Sequence, residues 1–324
     1  MSLSRLGRFW VYASVVVLTA LPGLQAAKGP AETYKGYIVT DAATGDVLLS
    51  SNPDEVGAPA SMTKLMTYAV LVDKLKAGGL TLQTRETVTN EDAKVGMMRG
   101  ATAVWLRNNE VFTIDELVYA MMIQSANDAA YMVARVVGGT VPHFVELMNA
   151  KARELGMNHS TFRTPNGFPV KSHKVSEGDL TSPRDFAILS RYLIGHTDIL
   201  RYTSVKTRPF GAQVRFPPTI MTNHNHLIGT VAGVDGLKTG FTNGASFCLS
   251  ATAQRGGRRL IVVVMGSPDY KTRDRTVIQL FDRGFSMPVV QHPRLVPSAP
   301  PSAPASTAPA SSPGIRFTVP GSGQ

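Results

Sequence analysis

Cysteine is nearly absent from this sequence of 324 residues, with Cys248 as the single example. No disulfide can therefore form within the chain, and a chain of this length can bury a core large enough to fold without one. Cys248 lies in the alternating apolar stretch "ASFCLSATA". This pattern is typical of a strand, so we expect a buried packing residue rather than a nucleophile.

Acidic residues are also scarce, with 23 Asp and Glu against 33 Lys and Arg, which gives a net charge of +10. A basic surplus can serve nucleic-acid binding, but no basic and aromatic pattern of a nucleic-acid-binding motif occurs. The charge suits an anionic cell-wall or membrane surface, and a solvated surface without a specific partner is the alternative. We expect no nucleic acid among the partners.

The apolar run near the N-terminus is short for a membrane span. Arg5 and Arg8 precede apolar residues 9–21, and small residues follow near Ala26 and Ala27. A spanning helix takes about 20 apolar residues, whereas a basic start, a short apolar run and a small-residue exit are typical of a secretory signal. We predict a signal peptide over 1–27 and an exported protein, periplasmic or otherwise extracytoplasmic, in the cell envelope. An uncleaved anchor is the alternative.

Proline is concentrated at the other end of the chain, where eight of the 21 prolines lie from Pro293 onward. We interpret residues 291–324 as a low-complexity tail rich in Pro, Ala and Ser, which cannot build a core. No internal repeat occurs. Residues 28–290 are therefore predicted to form the folded domain.

Strand patterns lie at both ends of this domain, with helical patterns between them. "YKGYIVTDAATGDVLLSSNPD" is a hairpin signal, and "GLKTGFTNGASFCLSATAQ" with "LIVVVMGS" predicts further strands. Thr113 with Glu116 forms a capping-box pattern, and Ser182 with Pro183 predicts another helix start. We predict an α/β (α+β) fold in which the terminal strands join in one antiparallel sheet flanked by helices.

A lysine stands one helical turn after a serine in "PASMTKLMT". Residues i and i+3 share a helix face, so the amine of Lys64 can reach the hydroxyl of Ser61. Serine is a weak nucleophile that needs a base, and lysine becomes one when burial or a neighbouring cation lowers its pKa. A serine cap followed by a surface lysine is the alternative.

Two further short motifs carry groups that suit a peptide substrate. Ser125-Ala126-Asn127 supplies a hydroxyl that can relay a proton and an amide that can hold a carbonyl. Lys238-Thr239-Gly240 places a cation beside a hydroxyl, which suits a carboxylate, and its glycine allows close approach of another backbone or of a ligand.

The motifs S-x-x-K, S-x-N and K-T-G occur here in the order found in penicillin-binding proteins and class A β-lactamases, with Ala126 in place of Asp. The sequence resembles the low-molecular-mass serine D-alanyl-D-alanine carboxypeptidases, which are penicillin-binding proteins. The likeness covers roughly residues 34–288 and extends to "QSANDAA", "MNAKARELGM", "TSPRDFAILSR", "VDGLKTGFT" and "FDRGF".

The resemblance implies a catalytic role for four residues. Ser61 is the expected acylated nucleophile, and Lys64 is its expected proton acceptor. Ser125 is expected to pass a proton to the leaving amine, and Asn127 to hold the peptide carbonyl.

It also implies the substrate-binding residues. Lys238 and Thr239, next to Gly240, are expected to face the substrate carboxylate. The backbone N–H groups of Ser61 and Phe241 are the expected oxyanion hole.

The resemblance further implies a fold like that of DD-peptidases and β-lactamases, with a mostly helical subdomain beside the sheet. It implies peptidoglycan stem peptides as substrates in cell-wall biogenesis, β-lactam antibiotics as covalent inhibitors, and no metal or organic cofactor.

The chain departs from this family in two places. An arginine before K-T-G usually helps to hold the carboxylate, but "TNHNHLIG" places His224 there. The larger carboxypeptidases of the family carry a second β-rich domain and a C-terminal amphipathic anchor, whereas here we expect only the Pro/Ala-rich tail to follow. In this respect the chain also resembles single-domain D,D-endopeptidases, which cleave peptide cross-links.

Three other interpretations of the function remain open at this point. A β-lactamase needs a loop glutamate to position water, and Glu177 is the candidate, although no asparagine follows four residues later. A catalytically inactive wall-binding module is the second. A metal site at His224 and His226 is the third, although no third ligand is evident.

Overall fold

The computed structural model describes residues 34–168 and 174–289. The folded unit lies within residues 1–287. The predicted signal peptide over 1–27 and the predicted tail over 291–324 both lie outside the described residues.

The described residues form nine strands and eight α-helices, joined by short 3-10 and π-helical turns. The helices are α1 Lys64–Lys76, α2 Asn90–Gly96, α3 Ile114–Tyr119, α4 Asn127–Gly138, α5 Val141–Glu154, α6 Pro183–His196, α7 Ile199–Thr203 and α8 Tyr270–Ser286. The strands are β1 Gly36–Asp41, β2 Val47–Ser51, β3 Arg85–Thr87, β4 Val111–Thr113, β5 Thr207–Phe210, β6 Thr219–Thr222, β7 Val234–Thr242, β8 Ser246–Arg255 and β9 Arg258–Ser267.

Five strands form one antiparallel sheet in the order β2-β1-β9-β8-β7. The first hairpin of the domain thus pairs with its last strand, as the sequence predicts. Side chains alternate along β9, so Ile261 and Val263 pack into one core cluster while Val262 and Val264 pack into another. Helix α8 covers the second face, and α6 packs against the first.

Four helices, α1, α2, α3 and α5, pack around α4 and form a second layer. The predicted capping box of Thr113 and Glu116 begins α3, and Ser182 with Pro183 begins α6. This arrangement agrees with the mixed fold and the mostly helical subdomain that the resemblance implies.

Short elements outside the main sheet occur in two stretches of the chain. The polar stretch from Thr81 to Arg107 contains β3 and α2, the latter begun by a capping box at Thr89. Strand β5 ends at Phe210, because Gly211 turns the backbone with φ +70°. It pairs with β6 in a separate two-stranded sheet.

Strand β7 lies at the edge of the main sheet, and its register places K-T-G against the turn that carries Ser61. A side chain at Gly240 would meet the carbonyl oxygen of Pro59 at 2.3 Å, so only glycine allows this close approach. Cys248 lies opposite Gly240 on β8 and is fully buried, as expected for a packing residue.

Among the described residues, no helix has the length and apolar character needed to cross a membrane.

Candidate active site

The first motif lies on a 3-10 turn, Ala60–Thr63, that leads directly into α1. Because side chains at i and i+3 eclipse in a 3-10 helix, Lys64 stands directly over Ser61. Its Nζ lies 3.0 Å from Ser61 Oγ. Ala60 holds a left-handed φ of +48°, a strained conformation of the kind that clusters at functional sites.

The amine of Lys64 is fully buried and has three polar neighbours. Besides Ser61, Nζ lies 2.7 Å from Asn127 Oδ1 and 2.8 Å from the carbonyl oxygen of Asn166. The two carbonyl oxygens can only accept hydrogen bonds. A neutral amine has two N–H groups for these acceptors and one lone pair, which is then directed at the Ser61 hydroxyl.

Electrostatics favours this neutral form. Burial lowers the pKa of Lys64 well below 10.5, and the charge of Lys238 lowers it further, while Asp128 and Asp179 oppose these effects. The geometry therefore makes Lys64 suited to accept the proton of Ser61.

The second motif lies where a helix is interrupted. The π-helical turn Ala120–Gln124 ends at Ser125, which adopts a left-handed φ of +61°. Thr102 holds both ends of the motif, since its Oγ1 donates to the Ser125 carbonyl and its own carbonyl accepts from Asn127 N. Ser125 and Asn127 both line the same cavity as Ser61.

The third motif forms the opposite wall of this cavity, whose volume is about 700 Å³. Thr239, Gly240 and Phe241 line it, and the Phe241 side chain is 52% exposed. Lys238 is buried behind them, and its Nζ donates to the Thr239 carbonyl at 3.1 Å. Burial, followed by the charge of Arg273, lowers the pKa of Lys238 to about 7.

His224 lines the same cavity, at the place where the family resemblance leads one to expect an arginine. Burial lowers the pKa of His224 to about 4, and the charges of Lys238 and Lys64 contribute to the decrease. Its imidazole is therefore neutral at neutral pH and supplies no charge to a carboxylate.

The structure adds Arg273, which the sequence analysis did not single out. It lies on α8, is only 3% exposed, and lines the cavity. Its Nε and Nη2 donate to Asp274 Oδ1 at 2.9 and 2.6 Å. Its Nη1 has no hydrogen-bond partner among the described residues. The sequence signal that could have found Arg273 is the position of an arginine on the apolar face of an amphipathic helix.

The loop that carries Asn166 was also not among the site elements predicted from the sequence. Asn166 contributes only its backbone carbonyl to the site, so its side chain gives no sequence signal. Gly167 allows the loop to reach Lys64, since a side chain there would lie 1.8 Å from the Ala60 carbonyl oxygen. Buried Asp179 holds the loop by accepting hydrogen bonds from the backbone N–H groups of Arg163 and Thr164.

The residues considered for a β-lactamase or a metal site do not have the surroundings that these functions need. Glu177 is exposed and pairs with Lys174 at 3.2 Å, and it does not line the cavity. Within 34–168 and 174–289, no group of three or more His, Cys, Asp or Glu residues could hold a metal ion.

The profile of the Peptidase S11 family, described as D-alanyl-D-alanine carboxypeptidase, matches residues 24–269. The chain belongs to this family. It is 32% identical over 256 residues to D-alanyl-D-alanine carboxypeptidase DacF of Bacillus subtilis (strain 168), covering 79% of this chain and 63% of that protein. It is 33% identical over 270 residues to DacC of Escherichia coli (strain K12), covering 82% and 65%. The chain thus spans less than two thirds of the length of these two relatives.

Solved structures show the same fold. The D-alanyl-D-alanine carboxypeptidase DacD from Francisella tularensis superposes with a TM-score of 0.72 at 25% identity, covering 85% of this chain and 74% of that one. Penicillin-binding protein D2 from Listeria monocytogenes, in its ampicillin-bound form, superposes with a TM-score of 0.68 at 27% identity, covering 78% and 97%.

The charge of Lys238 gives a direct test of the electrostatics. In an NMR titration with isotope-labelled lysine, Lys64 should lose its proton well below the ordinary pKa of 10.5. A nearby positive charge disfavours protonation, so Lys238→Met should raise the pKa of Lys64 and move its titration to higher pH. Lys94→Met, which removes an exposed lysine on α2, should leave it in place. Two results would contradict this interpretation: an ordinary pKa for Lys64 in the wild type, or the same pKa for Lys64 in Lys238→Met and in Lys94→Met.

Proposed function

We propose that this protein is a serine D-alanyl-D-alanine carboxypeptidase that removes the terminal D-alanine from peptidoglycan stem peptides. One observation carries the proposal: the buried amine of Lys64 lies 3.0 Å from Ser61 Oγ, with its N–H groups occupied by two carbonyl oxygens. Membership of the carboxypeptidase family supports a peptide with a terminal carboxylate as the substrate. The cations Lys238 and Arg273 at the cleft support the same substrate class.

Acylation is the first half of the reaction. Ser61 Oγ attacks the carbonyl carbon of the penultimate D-alanine while its proton passes to Lys64. The backbone N–H groups of Ser61 and Phe241 hold the developing oxyanion. The C–N bond then breaks, and the leaving amine takes a proton through the Ser125 hydroxyl. Asn127 keeps Lys64 oriented through Oδ1, and its Nδ2 donates to a substrate carbonyl.

Deacylation returns the enzyme to its starting state. A water molecule loses a proton to Lys64 and attacks the ester carbonyl. The ester bond to Ser61 breaks, and the proton returns to Oγ as the shortened peptide leaves. No metal or organic cofactor takes part in these steps.

The terminal carboxylate of the substrate needs a cation, and His224 does not supply one. Arg273 fits this role because a guanidinium stays charged at every physiological pH and binds carboxylates well. It lines the cavity close enough to lower the pKa of Lys238, and Asp274 fixes its orientation. We assign the carboxylate to Thr239, Lys238 and Arg273.

An extracytoplasmic site of action follows from this substrate and from the signal-like sequence over 1–27. The basic surface of the chain, with its net charge of +10, favours association with the anionic cell wall or membrane surface. β-Lactams, whose strained amide resembles the acyl-D-Ala-D-Ala bond, are expected to acylate Ser61.

Intact-protein mass after a short incubation with penicillin tests the nucleophile. The wild type should gain the mass of one penicillin, whereas Ser61→Ala should gain none, because no other hydroxyl among the described residues is hydrogen-bonded to Lys64 Nζ. Release of D-alanine from a D-Ala-D-Ala peptide should disappear in the same variant. A wild type that forms no adduct and leaves the antibiotic intact would favour the inactive wall-binding module. Rapid hydrolysis without an adduct would favour a β-lactamase.

A substrate pair tests Arg273. The wild type should cleave a peptide with a free terminal carboxylate at least about 10-fold better, by kcat/KM, than the same peptide with a terminal amide, as expected for a charged hydrogen bond. Arg273→Leu should lose most of this preference, and Arg273→Lys should keep part of it. Arg283→Leu, which removes an exposed arginine later on α8, is the control and should keep all of it. An unchanged preference in Arg273→Leu would exclude Arg273 as the anchor.

A further inference from the structure

Two rings, those of His226 and Tyr270, line the cleft beside the proposed carboxylate site. Tyr270 lies one helical turn before Arg273 on the same face of α8, and both line the cavity. The ring of His226 contacts Tyr270 edge-to-face, with centroids 5.3 Å apart and an interplanar angle of 72°. The two rings therefore lie beside Arg273 and are partly exposed, Tyr270 to 42% and the His226 side chain to 56%.

Both rings are held in place by neighbouring side chains. His226 Nδ1 lies 3.3 Å from Asp274 Oδ2, and Asp274 is itself bonded to Arg273. Tyr270 packs against Phe247, with ring centroids 6.4 Å apart. Asp269 caps α8 through the backbone N–H of Thr272, which places Tyr270 at the first position of the helix.

A second, open cavity of about 590 Å³ lies on the other side of these rings. His226 and Tyr270 line both cavities. The outer cavity is otherwise lined along α8 by Lys271, Asp274, Arg275, Ile278 and Gln279. The pair of rings is thus a partition between the catalytic cleft and a groove with basic side chains.

We propose that the His226–Tyr270 pair restricts the leaving group to a single amino acid and so makes the enzyme a carboxypeptidase rather than an endopeptidase. The inference rests on the proposed function. When the terminal D-alanine leaves, its carboxylate lies at Arg273 and nothing extends beyond it. In a cross-link, the leaving amine is carried by a second stem peptide, which needs room beside this point. The partition occupies that room.

Opening the partition should join the two cavities. The acyl half of the substrate and the reacting groups are unchanged, so the same bond is broken with a larger leaving group. The outer groove already offers Lys271 and Arg275 to the acidic groups of a second stem peptide. The substitutions His226→Gly and Tyr270→Ala, singly and together, remove the two rings.

The experiment compares two reactions of each full-length variant: D-alanine release from an uncross-linked pentapeptide muropeptide, and cleavage of a cross-linked dimeric muropeptide. The wild type should strongly favour the first. In the double variant, the ratio of cross-link cleavage to D-alanine release should rise about 10-fold or more, the size of a steric effect in a binding pocket. Tyr270→Phe keeps the ring and should keep the wild-type ratio. His196→Gly, which removes an exposed histidine stacked on Tyr192, is the matched control and should also keep it.

The outcomes distinguish failure of the partition from failure of the proposed function. Penicillin acylation of each variant, together with its thermal unfolding, shows that the fold and the nucleophile are intact. An acylated double variant with an unchanged ratio overturns the partition, as does a wild type that cleaves both substrates equally well. A wild type that neither forms a penicillin adduct nor releases D-alanine overturns the proposed function, and the partition falls with it.

Discussion

The buried amine of Lys64 is the contact on which the rest of the site depends. Three separate parts of the chain meet there: the 3-10 turn with Ser61, the start of α4 with Asn127, and the loop with Asn166. A charged ammonium in this place would cost on the order of several kcal/mol in lost hydration. The neutral form avoids that cost and directs its lone pair at the serine.

The positive charges around the cleft favour this neutral state, and under the proposed function they also bind the substrate carboxylate. Lys238 lowers the pKa of Lys64, and Arg273 lowers that of Lys238. Each of these two lysines therefore lies near a cation that disfavours its charged form. Under the proposed function, a substrate carboxylate relieves this repulsion, so that substrate binding and proton transfer depend on the same local charges. His224 stays neutral because burial lowers its pKa, and the charges of Lys238 and Lys64 lower it further.

Much of this arrangement could be predicted from the sequence, since it depends on local patterns. The contact between Ser61 and Lys64 follows from helical spacing, and the strand position of Cys248 from alternation. The caps of α3 and α6 follow from Thr113 and Ser182.

The remaining parts depend on tertiary contacts that no local pattern records. Asn166 acts through its backbone carbonyl, which every residue possesses. Arg273 is distant in sequence from the motifs, and only the packing of α8 on the sheet brings it into the cleft. The neutrality of His224 depends on burial and on cations from other elements. The partition made by His226 and Tyr270 likewise joins a loop and a helix that are separated along the chain.

Neutron diffraction from deuterated crystals grown near neutral pH would test the central claim most directly, because it locates individual protons. The account predicts two deuterium atoms on Lys64 Nζ, directed at Asn127 Oδ1 and at the Asn166 carbonyl. A third should lie on Ser61 Oγ and be directed at Nζ. Three deuterium atoms on Nζ, with one directed at Ser61 Oγ, would show a charged lysine in the resting enzyme and would contradict the account.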